Sequence, residues 1–338
     1  WVIRSVAMVV TGMEIPENPL VGGLLLQGLQ DPDDRIRGSA AAGVCKSALP
    51  QVNEQLEKLL DTPSAFVRGA AAGALVFRAV LGRFEPGDDF AARIARDDAV
   101  RKGVGAAYYR MCIWRGELPG DTEEEIDRTR ARLLAKAIEL CPEMPVYPIE
   151  FTEVLFRLDR GREALPFLLR AVETNPGNLD LRLYLALVLR LLGRSADAVV
   201  AAERVVKADP RNVRAWYQLG WAKMEELDAP GAADALLACW RLGPADEAIH
   251  GLLSEAFLGA KRYVQLLPIL DDAAYRWPDA AEIHWYRARA LAGAGDADRA
   301  IEALREARRT SYPDIADAKD VPEFASLRKR PDFESLVR

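Results

Sequence analysis

The sequence predicts an all-α protein, built as a two-part α-solenoid of helical hairpins. In the second half, six prolines recur at a nearly constant spacing: Pro142, Pro176, Pro210, Pro244, Pro278 and Pro313. In the first third, an apolar–arginine pair recurs at a slightly shorter and less regular spacing: Ile36-Arg37, Val67-Arg68 and Val100-Arg101. Fixed periods of about 20–50 residues are typical of proteins whose repeats are single supersecondary units. The two periods therefore predict two different kinds of repeat.

The composition limits the function classes. The chain has 338 residues and a net charge of −6, whereas nucleic-acid-binding domains usually carry a basic excess. No apolar run is long enough to span a bilayer. The cysteines are scattered and form no Cys-x-x-Cys motif, which argues against a zinc site, a c-type haem and a disulfide framework; they are Cys45, Cys112, Cys141 and Cys239. We expect buried thiols, no metal and no cofactor.

Each unit of the proline period reads as helix, turn, helix, turn. Every proline follows an apolar-periodic segment of helical length, as in 198–206. Proline cannot continue a helix and disfavours the helical conformation in the preceding residue, so it ends the second helix of each unit. Glycine suits the left-handed position at the end of a helix. The turns around Gly161, Gly193 and Gly295 are therefore predicted to separate the two helices.

These units resemble the tetratricopeptide repeat family. Residues 213–246 carry Trp216, Leu219 and Gly220, which match the W-x-x-L-G of that family, followed by Ala232 and Pro244. Other units keep small residues where the two helices of a hairpin approach, including Ala198 and Ala300. The resemblance implies structural roles for the repeat positions Trp216, Gly220, Ala198, Ala300, Pro176, Pro210, Pro244 and Pro278.

The predicted tetratricopeptide domain covers residues 109–314, in five to six units. Its first unit, 111–144, is degenerate and keeps Trp114, while 247–280 has Leu266 at a position where a small residue is expected. Residues 315–338 repeat a short motif of proline, acidic residue and phenylalanine. Terminal repeats need a cover for their apolar face. This segment is therefore predicted to form capping helices through Phe324, Leu327, Phe333 and Leu336.

Residues 1–108 resemble HEAT repeats, in which an acidic turn precedes the apolar–arginine pair. In that family the arginine bonds to an aspartate of a neighbouring repeat, which implies structural roles for Arg37, Arg68 and Arg101. Ile3-Arg4 matches Ile36-Arg37 one such interval earlier in the chain. The first unit therefore reads as incomplete, and we expect the chain to be part of a longer polypeptide.

No pattern in the sequence indicates catalysis. The two histidines, His250 and His284, occupy the same position in adjacent units, the position that Trp216 occupies in the clearest unit. Packing is the expected role of this position, and a metal pair is the alternative. No nucleophile motif, phosphate-binding loop or metalloprotease motif is present. We therefore predict that these residues do not form an enzyme.

In the tetratricopeptide family, the first helix of each unit lines a concave groove that binds peptides. Transferring that geometry to this chain gives a mixed groove of apolar, aromatic and charged side chains. Trp, Tyr and Arg are frequent anchors at protein interfaces; packing of the tryptophans between hairpins is the alternative. The predicted partner-binding residues are Phe156, Arg190, Arg214, Tyr217, Trp221, Met224, Glu255, Trp285 and Arg289.

The leading functional hypothesis is a non-enzymatic scaffold or adaptor that binds other proteins, through the groove and the HEAT surface, within a larger assembly. The expected ligand is a helical or extended peptide segment, with no nucleic acid and no membrane span. Two alternatives remain: a regulatory or targeting arm of a longer enzyme or membrane protein, and a peptide-binding chaperone. The compartment is open: the cysteine usage favours the cytoplasm, and a periplasmic location fits if an anchor or signal has been lost.

Overall fold

The computed structural model describes residues 19–113, 118, 122–243, 247–313 and 315–337. Within these ranges the chain forms helices and turns and no strand, which confirms the predicted all-α fold. It divides into two compact units, one up to Leu181 and one from Arg182. The predictions made for Ile3-Arg4, Trp114 and Pro244 lie outside the described residues.

The first unit contains nine described α-helices and two short 3₁₀ turns, at Val44–Lys46 and Gly161–Ala164. The α-helices are α1 (Pro19–Gly28), α2 (Asp34–Gly43), α3 (Val52–Leu59), α4 (Ala65–Val80), α5 (Asp88–Arg96), α6 (Asp98–Ile113), α7 (Glu123–Leu140), α8 (Val146–Arg157) and α9 (Leu165–Thr174).

Polar caps and an apolar core explain where these helices form. The side chains of Asp33 and Ser64 accept backbone N–H groups at the starts of α2 and α4, and Thr122 does the same for α7, bonding Glu125 at 3.2 Å. Such caps satisfy N–H groups that have no partner within the helix. Val67, Leu75 and other buried side chains then form one apolar cluster.

Helices α4 and α6 meet through their backbones. A Cβ atom placed on Gly103 would overlap the carbonyl group and Cα of Gly69. In the reverse direction, a Cβ on Gly69 would lie 2.8 Å from the Ala99 carbonyl oxygen, and one on Gly73 would lie 2.8 Å from that of Gly103. The small residues that recur in the first third therefore permit a close approach of these two helices.

Two of the three repeated arginines contact the next repeat, and one of them contacts an aspartate there. Arg68 on α4 donates Nε–H to Oδ2 of Asp97 at 2.6 Å, just before α6. Arg101 also reaches forward, to the Leu140 carbonyl oxygen and to Glu143. Arg37, in contrast, bonds within its own turn, to the carbonyl oxygens of Asp31 and Pro32 and to Asp34. The contact of Arg68 has the form that the HEAT resemblance implies, while the HEAT classification itself stays a prediction.

The second unit contains the remaining described helices. They are α10 (Leu179–Leu191), whose first turn contains the division between the units, α11 (Ser195–Ala208), α12 (Val213–Glu225), α13 (Ala229–Leu242), α14 (Glu247–Gly259), α15 (Tyr263–Arg276), α16 (Ala281–Gly293), α17 (Ala297–Arg309) and α18 (Pro331–Leu336), with 3₁₀ turns at Ile315–Lys319 and Pro322–Ser326. From α11 to α17, each helix packs against the next one along the chain.

The first helix of each second-half repeat ends in the same turn. A residue with positive φ follows the helix, and the next N–H bonds to the carbonyl oxygen five residues earlier, as from Asp228 to Lys223 at 2.9 Å. This bond and the positive φ define a Schellman motif. The positive-φ residues recur once per repeat, at equivalent positions: Asp159, Gly193, Leu227, Lys261 and Gly295, with φ values of 56°, 72°, 60°, 57° and 88°.

The prediction for Gly161 was wrong in its physical reason. Asp159, two residues earlier, takes the left-handed conformation. Gly161 lies in a 3₁₀ turn, where an added Cβ would approach the ring of Phe156 to 2.8 Å. Close packing, not backbone conformation, favours glycine there. The predictions for Gly193 and Gly295 are confirmed.

We expect the Leu227→Gly variant to be more stable than the wild type by about 0.5–1 kcal/mol. The left-handed conformation strains a leucine by about 1–2 kcal/mol, and glycine offsets part of that gain through its larger unfolded-state entropy. Gly193→Ala at the equivalent turn should change stability in the opposite direction. Urea denaturation of both variants measures these effects, and a less stable Leu227→Gly variant would contradict the strain argument.

The segment predicted to be a cap packs against the last helices of the second unit. Phe324 and Phe333 are fully buried, Leu327 and Leu336 are also buried, and all four belong to the apolar cluster of the last hairpins. Polar contacts fix the segment further: Arg308 donates to the Ser335 and Leu336 carbonyl oxygens. The predicted domain boundary at 108/109 marks a change of repeat type. The division into compact units does not test such a change, so the boundary stays a prediction.

Candidate functional site

Eight of the nine predicted partner-binding residues belong to the second unit. They lie on the first helices of successive repeats: α10 carries Arg190, α12 carries Arg214, Tyr217, Trp221 and Met224, α14 carries Glu255, and α16 carries Trp285 and Arg289. Phe156 lies on α8 in the first unit. The structure brings most of the eight into two clusters.

The first cluster, here called the aromatic ledge, comprises Tyr217, Trp221, Arg190 and Glu225. The rings of Tyr217 and Trp221 meet edge to face, with centroids 5.6 Å apart. The Arg190 guanidinium lies 4.3 Å from the centre of the Trp221 ring and bonds to Glu225 at 2.9 Å. Ser195 donates to the other Glu225 oxygen at 2.5 Å. Both rings are half-buried, so the ledge is held in place and still offers aromatic surface.

The second cluster, here called the charged triad, comprises Glu255, Arg289 and Glu323. Arg289 bonds to Glu255 at 2.8 Å and to Glu323 at 3.4 Å. Glu323 is 9 % exposed at its side chain and Glu255 is 43 % exposed. Beside the triad, burial raises the pKa of Tyr286, and the charges of Glu255 and Glu282 raise it further. The triad therefore presents Glu255 to solvent while Arg289 is held between two carboxylates.

The repeat period connects the two clusters. One equivalent position in successive units runs through Leu187, Trp221, Glu255, Arg289 and Glu323. The sequence prediction missed Glu225 and Glu323. Extending the period by one step beyond Arg289 would have found Glu323. The cap follows the last hairpin, where the first helix of another repeat would otherwise begin. For Glu225, the signal was its position four residues after Trp221 on the same helix face.

Trp285 does not line an accessible surface. It is 5 % exposed, its ring stacks on Tyr312 at 4.6 Å and meets Phe324 of the cap at 5.5 Å. This is the packing alternative for the tryptophans. Phe156 is half-buried and its ring lies over Gly161. Neither residue belongs to the aromatic ledge or to the charged triad.

Arg214 and Met224 flank the ledge on the same helix. Arg214 is exposed in the first turn of α12. Met224 is half-buried and packs against the apolar cluster of the second unit. A flexible thioether side chain adapts to different apolar partners, so Met224 can contribute contact area next to Trp221.

The described repeat positions lie in packed surroundings. Ala198 and Ala300 are buried within their hairpins, and a Cβ on Gly220 would approach Leu236 to 2.5 Å. The Trp216 ring nitrogen donates to the Pro210 carbonyl oxygen at 2.9 Å, and His284 makes the equivalent bond to Pro278 at 2.8 Å. His250 is buried beside the Trp277 ring, 5.3 Å away. Pro176, Pro210 and Pro278 each come two residues after the end of a second helix.

The described residues offer no cluster of metal ligands. In the part of the chain that the structure describes, no three His, Cys, Asp or Glu side chains are grouped to hold a metal ion. All four cysteines are buried, and burial raises the pKa of Cys112 to about 12 and of Cys239 to about 11. Such thiols stay protonated at neutral pH. Among the described helices, none is both long and apolar enough to cross a membrane.

The comparison with protein families identifies the second-half repeats. The tetratricopeptide repeat profile matches residues 153–212, 192–247 and 267–314. The matched segments coincide with helical hairpins that contain Schellman motifs, so the prediction of tetratricopeptide repeats is confirmed for this part of the chain. Among curated proteins, none matches this chain.

Several solved structures are similar to part of the chain. A MamA fragment from Desulfovibrio magneticus RS-1 is 19 % identical, covers 50 % of this chain and 95 % of its own length, and has a TM-score of 0.44. YrrB, described as a TPR protein with an unusual peptide-binding site, is 18 % identical, with coverages of 50 % and 88 % and a TM-score of 0.42. PilF of Pseudomonas aeruginosa is 15 % identical, with coverages of 68 % and 98 % and a TM-score of 0.46.

Proposed function

We propose that the chain is a non-enzymatic adaptor that binds a peptide segment of a partner protein on the first-helix face of its second unit. The aromatic ledge carries this proposal. Trp and Tyr are enriched among residues that dominate binding energy, and here they are half-buried and fixed by Arg190 and Glu225 rather than covered. A preorganised aromatic surface binds with a smaller loss of side-chain entropy.

The surroundings of the ledge define the expected ligand. Leu187 at the equivalent position one repeat earlier and Met224 on the same helix as Trp221 are half-buried apolar side chains, and Glu255 adds an exposed carboxylate one repeat further on. An amphipathic helix or extended segment with an apolar anchor fits such a surface. The partner would place that anchor against Trp221 and Tyr217.

Selection of peptides from a random displayed library on the full chain tests the proposal. Peptides so obtained are titrated into the wild type and into the Trp221→Ala variant, and binding is measured calorimetrically. We expect Trp221→Ala to weaken binding at least tenfold, as truncation of an interface anchor does. Glu225→Gln should weaken it less, because that change loosens Arg190 without removing the aromatic surface.

Tyr275→Ala provides a matched control. Tyr275 is an aromatic residue that is 87 % exposed, and it lies on α15, a second helix. Its removal should leave peptide affinity unchanged. Equal loss of affinity in Trp221→Ala and Tyr275→Ala, or selected peptides that bind both variants as well as the wild type, would contradict the proposed site.

A further inference from the structure

The first unit has an apolar depression at the surface of helices α2, α4 and α6. It has a volume of about 130 Å³, and its lining includes Ala74, Phe77 and Ala107, all buried. Two exposed residues of α6, Arg110 and Ile113, also line it and form its rim. Small residues of α4 and α6, among them Gly73, Ala74 and Ala107, leave this space open.

The cation at this rim has no acidic partner in the described part of the chain. Arg110 donates Nε–H to the Ala106 carbonyl oxygen of its own helix at 3.4 Å. Within the described ranges, no carboxylate lies at ion-pair distance from its guanidinium group. The depression therefore combines an apolar floor with one available positive charge.

The second unit has a feature of complementary shape and charge. Leu227 is 90 % exposed and has a φ of 60°, so it combines exposure of a large apolar side chain with backbone strain. Glycine occupies the equivalent turn position in two other repeats, Gly193 and Gly295. Beside it, Glu226 is exposed and makes no ion pair with any residue that the structure describes.

We propose that the Glu226–Leu227 turn of one copy of this chain binds the α2–α4–α6 depression of a second copy. A cavity of about 150 Å³ holds one benzene ring, so a depression of about 130 Å³ suits the branched alkyl group of leucine. Docking of Leu227 beside Ile113 brings Glu226 to the rim, where Arg110 neutralises it. The contact buries the Leu227 side chain, which is exposed in the single chain. This burial explains why a leucine occupies a strained turn position.

The two surfaces differ, so the contact is heterologous. Each copy uses its turn on one neighbour and its depression on the other, which produces open chains of copies unless the geometry closes a ring. The contact patch is small, so the association is weak. Since one ion pair contributes, the association should weaken further as salt concentration rises.

Sedimentation velocity of the full chain over a concentration series that reaches the millimolar range tests the proposal. The wild type should show a weight-average sedimentation coefficient that rises with concentration. Leu227→Gly should weaken the association at least tenfold, because it removes a buried leucine side chain. The same variant is expected to be more stable than the wild type, so loss of association cannot be ascribed to unfolding.

A charge exchange identifies the two surfaces. Arg110→Glu and Glu226→Arg should each abolish the association of the single variants, because each places like charges together. A mixture of the two variants should restore it with the two variants alternating, since the turn of each then meets a depression of opposite charge on the other. Leu191→Gly removes another exposed leucine of the second unit, 54 % exposed, and should leave the association unchanged.

Three results would overturn the proposal. One is a wild type that stays monomeric over the whole concentration series. This result would also follow if another protein or the same chain filled the depression. Another is a Leu227→Gly variant that associates like the wild type. The third is a mixture of the charge variants that remains monomeric, because the association would then use other surfaces.

Discussion

Replacing Gly103 with alanine is expected to destabilise the first unit by about 3 kcal/mol or more. The added Cβ would overlap the Gly69 backbone, and backbone atoms cannot move aside as a side chain does. Helices α4 and α6 would have to separate, and Ala107 and Val104 would lose contact with their neighbours. Overpacking usually costs about 1–3 kcal/mol, and a clash between two backbones belongs at the upper end. Urea denaturation followed by circular dichroism measures the change.

Two other glycines provide matched controls. A Cβ on Gly38 would also overlap a neighbour, but that neighbour is the ring of Phe66, which is 58 % exposed and can turn into solvent. A Cβ on Gly23 would have nothing within 4 Å. Gly38→Ala should therefore cost less than about 1 kcal/mol, and Gly23→Ala should be neutral or stabilising by up to about 1 kcal/mol. Equal losses in Gly38→Ala and Gly103→Ala would refute the backbone argument.

Asp127→Asn is expected to destabilise the protein by about 2–3 kcal/mol at neutral pH. Asp127 is 5 % exposed and accepts bonds from Arg157 at 2.7 and 2.9 Å and from Arg130 at 3.0 Å. The substitution leaves the buried Arg130 facing a neutral amide. Removal of one partner from a buried ion pair costs about 3–5 kcal/mol. We expect a smaller loss here because the Arg157 side chain is 44 % exposed, so water solvates its charge in part when the carboxylate is removed.

The effect of Asp127→Asn should depend on pH. The hydrogen bonds from Arg157, and then the charges of Arg157 and Arg130, lower the pKa of Asp127 in the folded protein. A lowered pKa contributes stability that is fully present above the unfolded value, about 3.9, and is lost as pH falls through the folded value. The difference in unfolding free energy between wild type and variant should therefore be constant near neutrality and shrink below about pH 4.

Glu163→Gln is the control for this prediction. Glu163 bonds to Arg160 at 2.7 Å, but both side chains are about half exposed, at 54 % and 51 %. Exposed ion pairs contribute little to stability, so this variant should unfold like the wild type. A pH-independent effect of Asp127→Asn would show that the loss comes from altered packing rather than from the charge.

The repeat architecture of the second unit could be predicted because it depends on backbone rules. Proline disfavours continuation of a helix, so its regular spacing identified the hairpins before any contact was known. The cap followed from the same logic, because the apolar residues after the last proline had a face to cover. The two tetratricopeptide positions with the strictest packing, Gly220 and Ala232, are both buried.

The site was harder to predict because it depends on helix phase. Helix α16 mixes charged and apolar residues without a clear polar or apolar face, so its sequence does not distinguish the side that meets the cap from the side that meets solvent. Trp285 was therefore assigned to the groove, while the structure places it beneath Phe324. Helix α12 has a clearer division, and Tyr217 and Trp221 are half-buried on it, while their role in partner binding stays a prediction. The exposure and strain of Leu227 were missed, although the repeat period places it at the turn position that Gly193 and Gly295 occupy.

The bonds from Trp216 and His284 to the prolines that precede them have a consequence for repeat detection. A carbonyl oxygen only accepts, so His284 must carry its proton on Nε2 to make the bond. An imidazole in that tautomer offers the same N–H group as an indole, at the same offset of six residues from the proline. A repeat can therefore lose its signature tryptophan and keep the function of that residue. Repeats that have diverged from the family pattern can be recognised by a ring N–H donor at this position, whichever ring carries it.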